Sequence, residues 1–317
     1  MDEKIIAFLR ERQHDFVSGE QMRRGLGISR AGIWKHIEKL RREGYDIEAS
    51  PHLGYRFVSA PDRLIASEVS WNLKTKTFGR KIYSFKKTDS TNTAAYSLAE
   101  DGEREGAVVF AESQAKGRGR LGRVWKSPAE GIYMSCILRP NLEPHKTARI
   151  TLTAAVAVAE AIRDITALPA LIKWPNDVMI NGSKVSGILT EMKAEQDSID
   201  FVIVGIGVNV NSAKEELPDN ATSLKEEFGR PLAKTEVARK ILELLESRYV
   251  KIRDHFDEII NEWRAISYTL GTRVRVNTHN EVLEGQALDI DENGGLIIRL
   301  DSGFNRHIFA GDVELVR

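Results

Sequence analysis

Gly117-Arg118-Gly119-Arg120-Leu121-Gly122-Arg123, continued by Val124-Trp125-Lys126-Ser127-Pro128, is the stretch from which the rest of the 317-residue chain can be read. Its three glycines leave backbone amides free to approach a ligand or to take positive φ. The guanidinium groups between them are permanently charged forks for carboxylate or phosphate oxygens. Two readings fit the heptad equally: an anion site that folds over its ligand, or a flexible basic surface loop of the arginine-glycine kind that meets nucleic acid. Trp125 favours the first, because an aromatic face beside phosphate-binding groups suits a nucleotide base. No G-x-x-x-x-G-K-[ST] loop occurs in the chain, so a nucleotide here has to be held by other means.

Working outward, Gly106 to Gln114 reads as a strand that delivers the chain to this loop, and Gly131 to Arg139 as the strand that leaves it. Lys81 to Lys86 is a further strand. It is followed by Thr88-Asp89-Ser90-Thr91-Asn92 and a helix over Thr93 to Glu100. That polar cluster is either an ordinary helix cap or a set of hydroxyls and amides offered to a polar ligand. His145 to Thr166 reads as a buried helix that stops before Pro169. Leu171 to Asp177, with Lys173-Trp174-Pro175-Asn176-Asp177, is a short strand entering a turn. Asn181-Gly182-Ser183 makes a hairpin turn into the next strand, through Lys184 and Gly187-Ile188-Leu189-Thr190-Glu191, so Asp177 and Lys184 lie on either side of one hairpin, where both also read as ordinary surface turn residues, Lys184 above all. Ile199 to Val210 suits a central strand. Its Gly205-Ile206-Gly207-Val208-Asn209 lacks the third glycine of a dinucleotide fingerprint, and the two glycines mark close approach of another backbone or a ligand.

The front of the chain reads as a separate unit. Ile5, Ile6 and Leu9 stripe one helix, Ser18 opens a second, and Ser29 caps a third whose Ile33, Ile37 and Leu40 share a face. Tyr45 to Val58 alternates through a Pro51-to-Gly54 turn. Helices meeting at a glycine turn and followed by a hairpin form the winged helix-turn-helix pattern. Between Met22 and Glu43 there are seven basic residues against the single acid Glu38. Either this is a solvated face on a module that meets proteins, or Arg23, Ser29, Arg30, Trp34, Lys35, His36 and Lys39 meet DNA, with Ser29 and Arg30 starting the recognition helix. Pro61 is expected in the first turn of a short helix running to Trp71.

At the other end, Lys234 to about Ser267 reads as amphipathic helix. From Gly271, alternating segments separated by turns describe a small barrel-like β domain without an obvious catalytic group. The expected fold is therefore an α+β multidomain protein. It has a winged helix-turn-helix at 1–60, a central mixed α/β-sheet domain at 61–269 and a small SH3-like β-barrel at 270–317.

Composition bounds what such a protein does. Lys+Arg and Asp+Glu are both 46, so any electrostatic case for a nucleic-acid or membrane partner is local. The lone Cys136 lies in an apolar run and reads as a buried structural thiol. The amino terminus lacks the apolar core of a signal sequence and no apolar run spans a bilayer, so a soluble, cytoplasmic protein without a membrane partner is expected.

Ser90-Thr91-Asn92, Gln114, the glycine-arginine heptad, Lys173 to Asp177, Lys184 with Gly187-Ile188-Leu189, and Gly205 to Asn209 occur in the order and approximate spacing of biotin protein ligases. With the winged helix in front, the chain resembles the bifunctional bacterial ligase and repressor of the biotin operon, the BirA type, over its whole length. The resemblance implies that Ser90, Thr91, Asn92 and Gln114 bind biotin and that the backbone around Arg118 and Gly119 encloses it. It implies that Arg118 and Arg120 bind the biotin carboxylate and the α-phosphate, with Lys184 on the same phosphate. Arg123 belongs to the ATP and adenylate site, Trp125 and Asn209 flank adenine, and Asp177 sits near the attacking lysine. Arg118, Lys184 and Asp177 are thus the expected catalytic residues. Leu121 stands where some relatives have another arginine.

The implied reaction consumes ATP and biotin, forms biotinyl-AMP, and passes biotin to a lysine of the biotin carboxyl carrier domain of acetyl-CoA carboxylase or a related carboxylase. Without a His and Cys metal cluster in the sequence, magnesium is expected to arrive with ATP. Bound biotinyl-AMP is implied to act as corepressor by completing a homodimer on operator DNA. Two rivals remain at this point: a sensing transcription factor that binds the ligand without reacting, and a lipoate-type acyltransferase on a related fold.

Overall fold

The computed structural model describes residues 1–12, 15–195 and 198–316. It falls into two compact units, Met1–Arg63 and Leu64–Arg317. In the first, α1 (Asp2–Arg10), α2 (Gly19–Leu26) and α3 (Arg30–Arg42) precede a hairpin of β1 (Asp46–Ser50) and β2 (Gly54–Ser59). Ser18 accepts from the Gln21 N–H while the Gln21 side chain returns to the Ser18 N–H, and Ser29 accepts from the Gly32 N–H at 3.1 Å. Both helix starts anticipated from the sequence are thereby satisfied. Ile5, Ile6, Leu9, Met22, Ile33, Ile37, Leu40 and Ile47 form the core of this unit.

The second unit opens with α4 (Ala66–Val69), shorter than expected and without Pro61 in it. The Arg63 N–H donates to the Pro61 carbonyl at 2.8 Å, and Ile65 is still extended, so no helix starts before Ala66. A seven-stranded sheet follows, built from β3 (Ile82–Thr88), β4 (Val108–Gln114), β5 (Ile132–Leu138), β6 (Leu171–Lys173), β7 (Asp177–Ile180), β8 (Ser183–Glu195) and β9 (Ser198–Val208). Their spatial order is β3-β4-β5-β9-β8-β7-β6. Only the β3–β4 pair is parallel, with α5 (Thr91–Glu100) as its crossover, so β9 is the middle strand, as its apolar run anticipates.

Strand parity divides the sheet's two faces. Ile132, Met134, Cys136 and Leu138 of β5 face the core that contains α6 (Ala148–Thr166), α8 (Lys234–Tyr249) and α9 (Phe256–Ala265). Ile137 instead joins Ala95 and Ala99 of α5, Val109, Phe201 and Ile203 on the opposite face. The helix expected from His145 begins at Ala148, after a 3-10 turn over Pro144–Lys146, and ends at Ala167 with φ 58°. The long carboxy-proximal helix is two helices separated by a turn that returns Phe256, Ile259 and Trp263 to the same core. The short α7 (Leu224–Phe228) lies between β9 and α8 in the chain. Cys136 is fully buried, and burial pushes its thiol up to about 12, which makes it the inert structural residue expected.

Antiparallel strands β10 (Arg273–Asn277), β11 (Val282–Ile290), β12 (Leu296–Leu300), β13 (Asn305–Ile308) and β14 (Asp312–Leu315) complete the unit, in the order β13-β12-β11-β10-β14. Val274, Ala287, Ile298 and Val313 share one apolar cluster with the α6 core, and the buried Trp174 donates its indole N–H to the Gly294 carbonyl at 3.0 Å.

On the far side of α8, the Glu246 carboxylate accepts from the backbone N–H groups of Lys76, Thr77 and Phe78 at 2.6 to 2.7 Å. Burial raises its pKa, but the three amides outweigh that and hold it below the ordinary value of 4.5. A carboxyl whose folded pKa is depressed stabilises the fold above its unfolded pKa, and that contribution is lost as pH falls through the folded value. Glu246→Ala is therefore expected to lower the unfolding free energy by roughly 2 kcal/mol at pH 7, since three amides lose their acceptor. Urea titrations at descending pH should show the gap between wild type and variant closing below about pH 4.5.

Candidate functional site

The site begins with a row of missing side chains. Across the sheet, Tyr133 of β5 is paired with Gly207 of β9, Gly207 with Gly187 of β8, and Gly187 with Asp177 of β7. Two positions along, Ser135 faces Gly205 and Gly205 faces Leu189. The middle of the sheet is therefore bare on this face, and the indole of Trp125 lies over it. A Cβ on Gly207 would sit 2.6 Å from Trp125 Cε2, and one on Gly187 would sit 3.0 Å from Cζ3. A Cβ on Gly205 would fall 2.1 Å from Asn92 Oδ1. Close approach was expected at Gly205 and Gly207, but the approaching groups are side chains of the protein, Asn92 and Trp125.

Trp125 reaches the sheet because the glycine-arginine stretch is a small hairpin. The Gly119 N–H donates to the Arg123 carbonyl at 2.7 Å and the Trp125 N–H to the Gly117 carbonyl at 2.9 Å. Leu121 turns the tip at φ 55° and is exposed. A cleft of about 440 Å³ opens between this hairpin and the sheet. It is lined by Ser90, Thr91, Asn92, Gln114, Arg118, Gly119, Arg120, Arg123, Trp125, Asp177, Lys184 and Asn209. Residues spread over 120 positions of sequence thus share one cavity.

At one end of the cleft is a polar floor. Ser90, Thr91 and Asn92 are buried, and Ser90, although at the N-cap of α5, makes no capping bond with its side chain. The plain capping reading of this cluster is therefore not what the Ser90 hydroxyl does. Thr91 donates from N–H and hydroxyl to Gln114 Oε1 at 2.8 and 3.2 Å. Ser135, on the α5 face of β5 by parity, places its hydroxyl 2.8 Å from Thr91 Oγ1 and 2.6 Å from Asn92 Oδ1.

Charge is concentrated at the β7–β8 hairpin and the glycine-arginine stretch. The Asn181-Gly182 turn has φ of 49° and 81°, the left-handed pair that a two-residue hairpin requires, and the register it sets brings Lys184 Nζ to 2.5 Å from Asp177 Oδ1. Lys184 Nζ is also 5.3 Å from the centre of the Trp125 ring. Burial draws the half-buried Arg120 guanidinium below the usual arginine range. Among the described residues no carboxylate lies within salt-bridge distance of it, and its contact is with the amide oxygen of Asn176 at 3.3 Å. Arg118 and Arg123 differ: Arg118 Nη2 donates to Glu191 Oε1 at 3.0 Å, and Arg123 is clasped by Asp312 through both nitrogens. A partly buried guanidinium whose direct bond is to a neutral amide oxygen keeps donors that can meet an anion.

Two buried polar atoms of the lining, Trp125 Nε1 and Asn209 Oδ1, have neither a hydrogen bond nor an ion pair among the described residues, while Asn209 Nδ2 donates to the Thr222 carbonyl at 3.0 Å. Four contributors escaped sequence reasoning. Ser135 was signalled as a polar residue in an apolar strand, and Glu191 and Asn176 stood within stretches already singled out. Asp312 had no local signal; it brings a lining group and a partner for Arg123 from the carboxy-terminal β domain, in which no obvious catalytic group was expected.

In the first unit, the charge counted over Met22 to Glu43 is partly answered from outside that window. Glu20 meets Arg23, Arg24 and Arg30 at 2.8 to 3.3 Å, and hydrogen bonding from Arg23 above all holds its carboxyl at about 2. Asp2 takes His36 and Lys39 at 2.5 Å each. Trp34 and Lys35 remain exposed on α3, and Ser29 is spent on the helix cap.

The Biotin/lipoate A/B protein ligase family model matches residues 84–209, an HTH domain model residues 2–56, and the Biotin protein ligase C terminal domain model residues 269–316. The Bifunctional ligase/repressor BirA of Bacillus subtilis is 40% identical over 98% of this chain and 97% of its own. The chain belongs to the BirA type of biotin protein ligase. A biotin--[acetyl-CoA-carboxylase] ligase of Mycobacterium tuberculosis is 33% identical, over 82% of this chain and 95% of its own. The biotin protein ligase of Aquifex aeolicus, solved in complex with biotin and ATP, aligns with a TM-score of 0.65 at 33% identity, over 75% of this chain and 99% of that one. Membership of this family fits the order in which the cleft's residues occur along the chain.

The glycine row gives a paired prediction for this ligase. Gly207→Ala should tilt Trp125 and weaken nucleotide binding by about tenfold or more while changing biotin affinity less. Gly205→Ala should push on Asn92 and show the reverse pattern. Isothermal titration with biotin and with a non-hydrolysable ATP analogue reads both.

Proposed function

We propose that the cleft joins biotin to AMP and then to protein. The biotin carboxylate attacks the α-phosphorus of ATP, the bond to the bridging oxygen breaks with its electrons, and pyrophosphate leaves. A lysine amine of the biotin carboxyl carrier protein then attacks the acyl carbon of biotinyl-5′-AMP, loses its proton and expels AMP. The observation that carries this reading is Arg120, a half-buried cation of the cleft lining that is hydrogen-bonded to the neutral Asn176 and has no carboxylate within salt-bridge distance among the described residues.

Alignment and charge neutralisation supply most of what such a step needs. Arg120 and Lys184 take the α-phosphate and the carboxylate that meets it. Since Arg118 is paired with Glu191, its contribution to the ligand runs chiefly through backbone, beside Gly119. Ser90, Thr91, Asn92 and Gln114 offer the mixture of donors and acceptors that a cyclic urea requires. The adenine stacks on Trp125, with Asn209 Oδ1 as acceptor for its amino group and Arg123 near the phosphates. Asp177, 2.5 Å from Lys184, is the carboxylate beside which the incoming amine gives up its proton. Of the carboxylates lining the cleft, Asp177 and Asp312 are engaged by Lys184 and Arg123, and among the described residues no cluster of three His, Cys, Asp or Glu is placed to hold a metal, so magnesium is assigned to ATP's phosphate oxygens.

The first unit is read as the repressor part, with α3 entering the major groove of operator DNA. Its finer features are a homodimer completed by bound biotinyl-AMP, which brings two such helices to two half-sites, and a cytoplasmic setting. No helix among the described residues is long and apolar enough to cross a membrane.

Biotin-dependent release of pyrophosphate from ATP, with lipoate refused, tests the reaction; binding of biotin without release would leave only a sensor. Lys184→Met and Arg120→Ala are each expected to slow adenylate formation about a hundredfold, the loss of one or two charge-assisted bonds. In the other unit, Arg30→Ala should weaken operator binding and flatten its dependence on salt by about one phosphate contact, with ligase turnover unchanged. Gel shifts at several salt concentrations, run beside the pyrophosphate assay, separate the two activities.

A further inference from the structure

The floor of the cleft and the hairpin over it are joined by a closed circuit of hydrogen bonds, and Glu191 is the member that closes it. Both Glu191 oxygens accept from Arg118 Nη2, at 3.0 and 3.2 Å, and Oε2 also accepts from Asn92 Nδ2 at 2.6 Å. The Ser135 hydroxyl donates to Asn92 Oδ1 and meets Thr91 Oγ1, and the Thr91 N–H donates to Gln114 Oε1. Gln114 Nε2 donates to Ser127 Oγ at 2.9 Å, and Ser127 donates to the Trp125 carbonyl at 3.2 Å. The Trp125 N–H returns to Gly117, next to Arg118. The two ends of the hairpin are thus tied to the same few atoms that line the floor.

We infer that Glu191 is a positioning residue that couples occupation of the polar floor to closure of the hairpin. This inference rests on the ligase reading for the identity of the ligand, a cyclic urea, but not for the linkage itself. A ligand that bonds to Asn92, Thr91 or Gln114 redistributes bonds within the circuit. Glu191 then fixes Arg118, and the hairpin with it, in the position that sets Arg120 and Trp125 over the cleft. The division of labour between neighbouring arginines follows: Arg118 holds the hairpin and Arg120 meets the anion. Without the Glu191 carboxylate, Arg118 has no acceptor and the hairpin is anchored at its Trp125 end and by Arg123 with Asp312.

Two variants separate the two halves of the linkage. Glu191→Gln retains an oxygen for Asn92 but removes the charge that attracts Arg118, whereas Glu191→Ala removes both. Limited trypsinolysis of the full chain, read by mass spectrometry at Arg118, Arg120 and Arg123, reports hairpin opening without requiring any chemistry. Cleavage there should accelerate about tenfold in both variants, equivalent to about 1.4 kcal/mol of closure. In the same samples, KM for biotin should rise more in Glu191→Ala than in Glu191→Gln, and adding biotin should protect the hairpin of wild type more than that of either variant. Cleavage rates equal to wild type in both variants would overturn the inference, as would a fall in kcat alone with cleavage and KM unmoved. Should Glu191→Ala fail to fold, Glu191→Gln carries the test by its cleavage rate. Absence of biotin-dependent pyrophosphate release from wild type sinks the ligase reading instead, and leaves the cleavage result to stand or fall separately.

Discussion

A binding face in the middle of a seven-stranded sheet requires that the sheet carry almost nothing there. Gly187, Gly205 and Gly207 meet that constraint on two adjacent strands, and each has its vacancy taken by a specific neighbour. Trp125 rests over two of them and Asn92 against the third. Any side chain at these positions would lift the aromatic wall or the polar floor by more than packing tolerates. The glycines weaken the sheet locally, and the deep cores on both sides, α6 with α8 behind it and α5 in front, offset that weakness.

Electrostatics are arranged on this surface so that cations are unequally satisfied. Arg118 and Arg123 have carboxylates, Lys184 has Asp177, and Arg120 alone of the hairpin's arginines has a neutral partner. The carboxylate-paired arginines tie the hairpin down, while the amide-bonded one keeps its charge uncompensated by direct contact. Within six positions of sequence, copies of one residue type are thus held in two different ways, by carboxylates and by an amide.

Much of this was legible beforehand where local chemistry dictates local structure. Serines before apolar helices became caps, an Asn-Gly pair became the hairpin turn that joins Lys184 to Asp177, and a run from Ile199 became the central strand. What was not legible depended on the third dimension. Nothing near Asp312 in sequence points to Arg123, and two of the acids that temper the basic residues of α2 and α3, Glu20 and Asp2, lie outside Met22 to Glu43. Ser90 looked like a cap and occupies the N-cap position, yet its hydroxyl is not used there. Position in the chain identified the residue, and only packing identified what its side chain was free to do.

The clasp between Arg123 and Asp312 bears on how such a protein can be taken apart. The ion pair ties the active hairpin to a strand almost at the opposite end of the polypeptide, and Val313 beside it is part of the shared core. The terminal β sheet is consequently not a detachable accessory. A chimera that borrows this sheet from a distant homologue would import a foreign hinge for the hairpin, so compatible acid and base would have to be transplanted as a set.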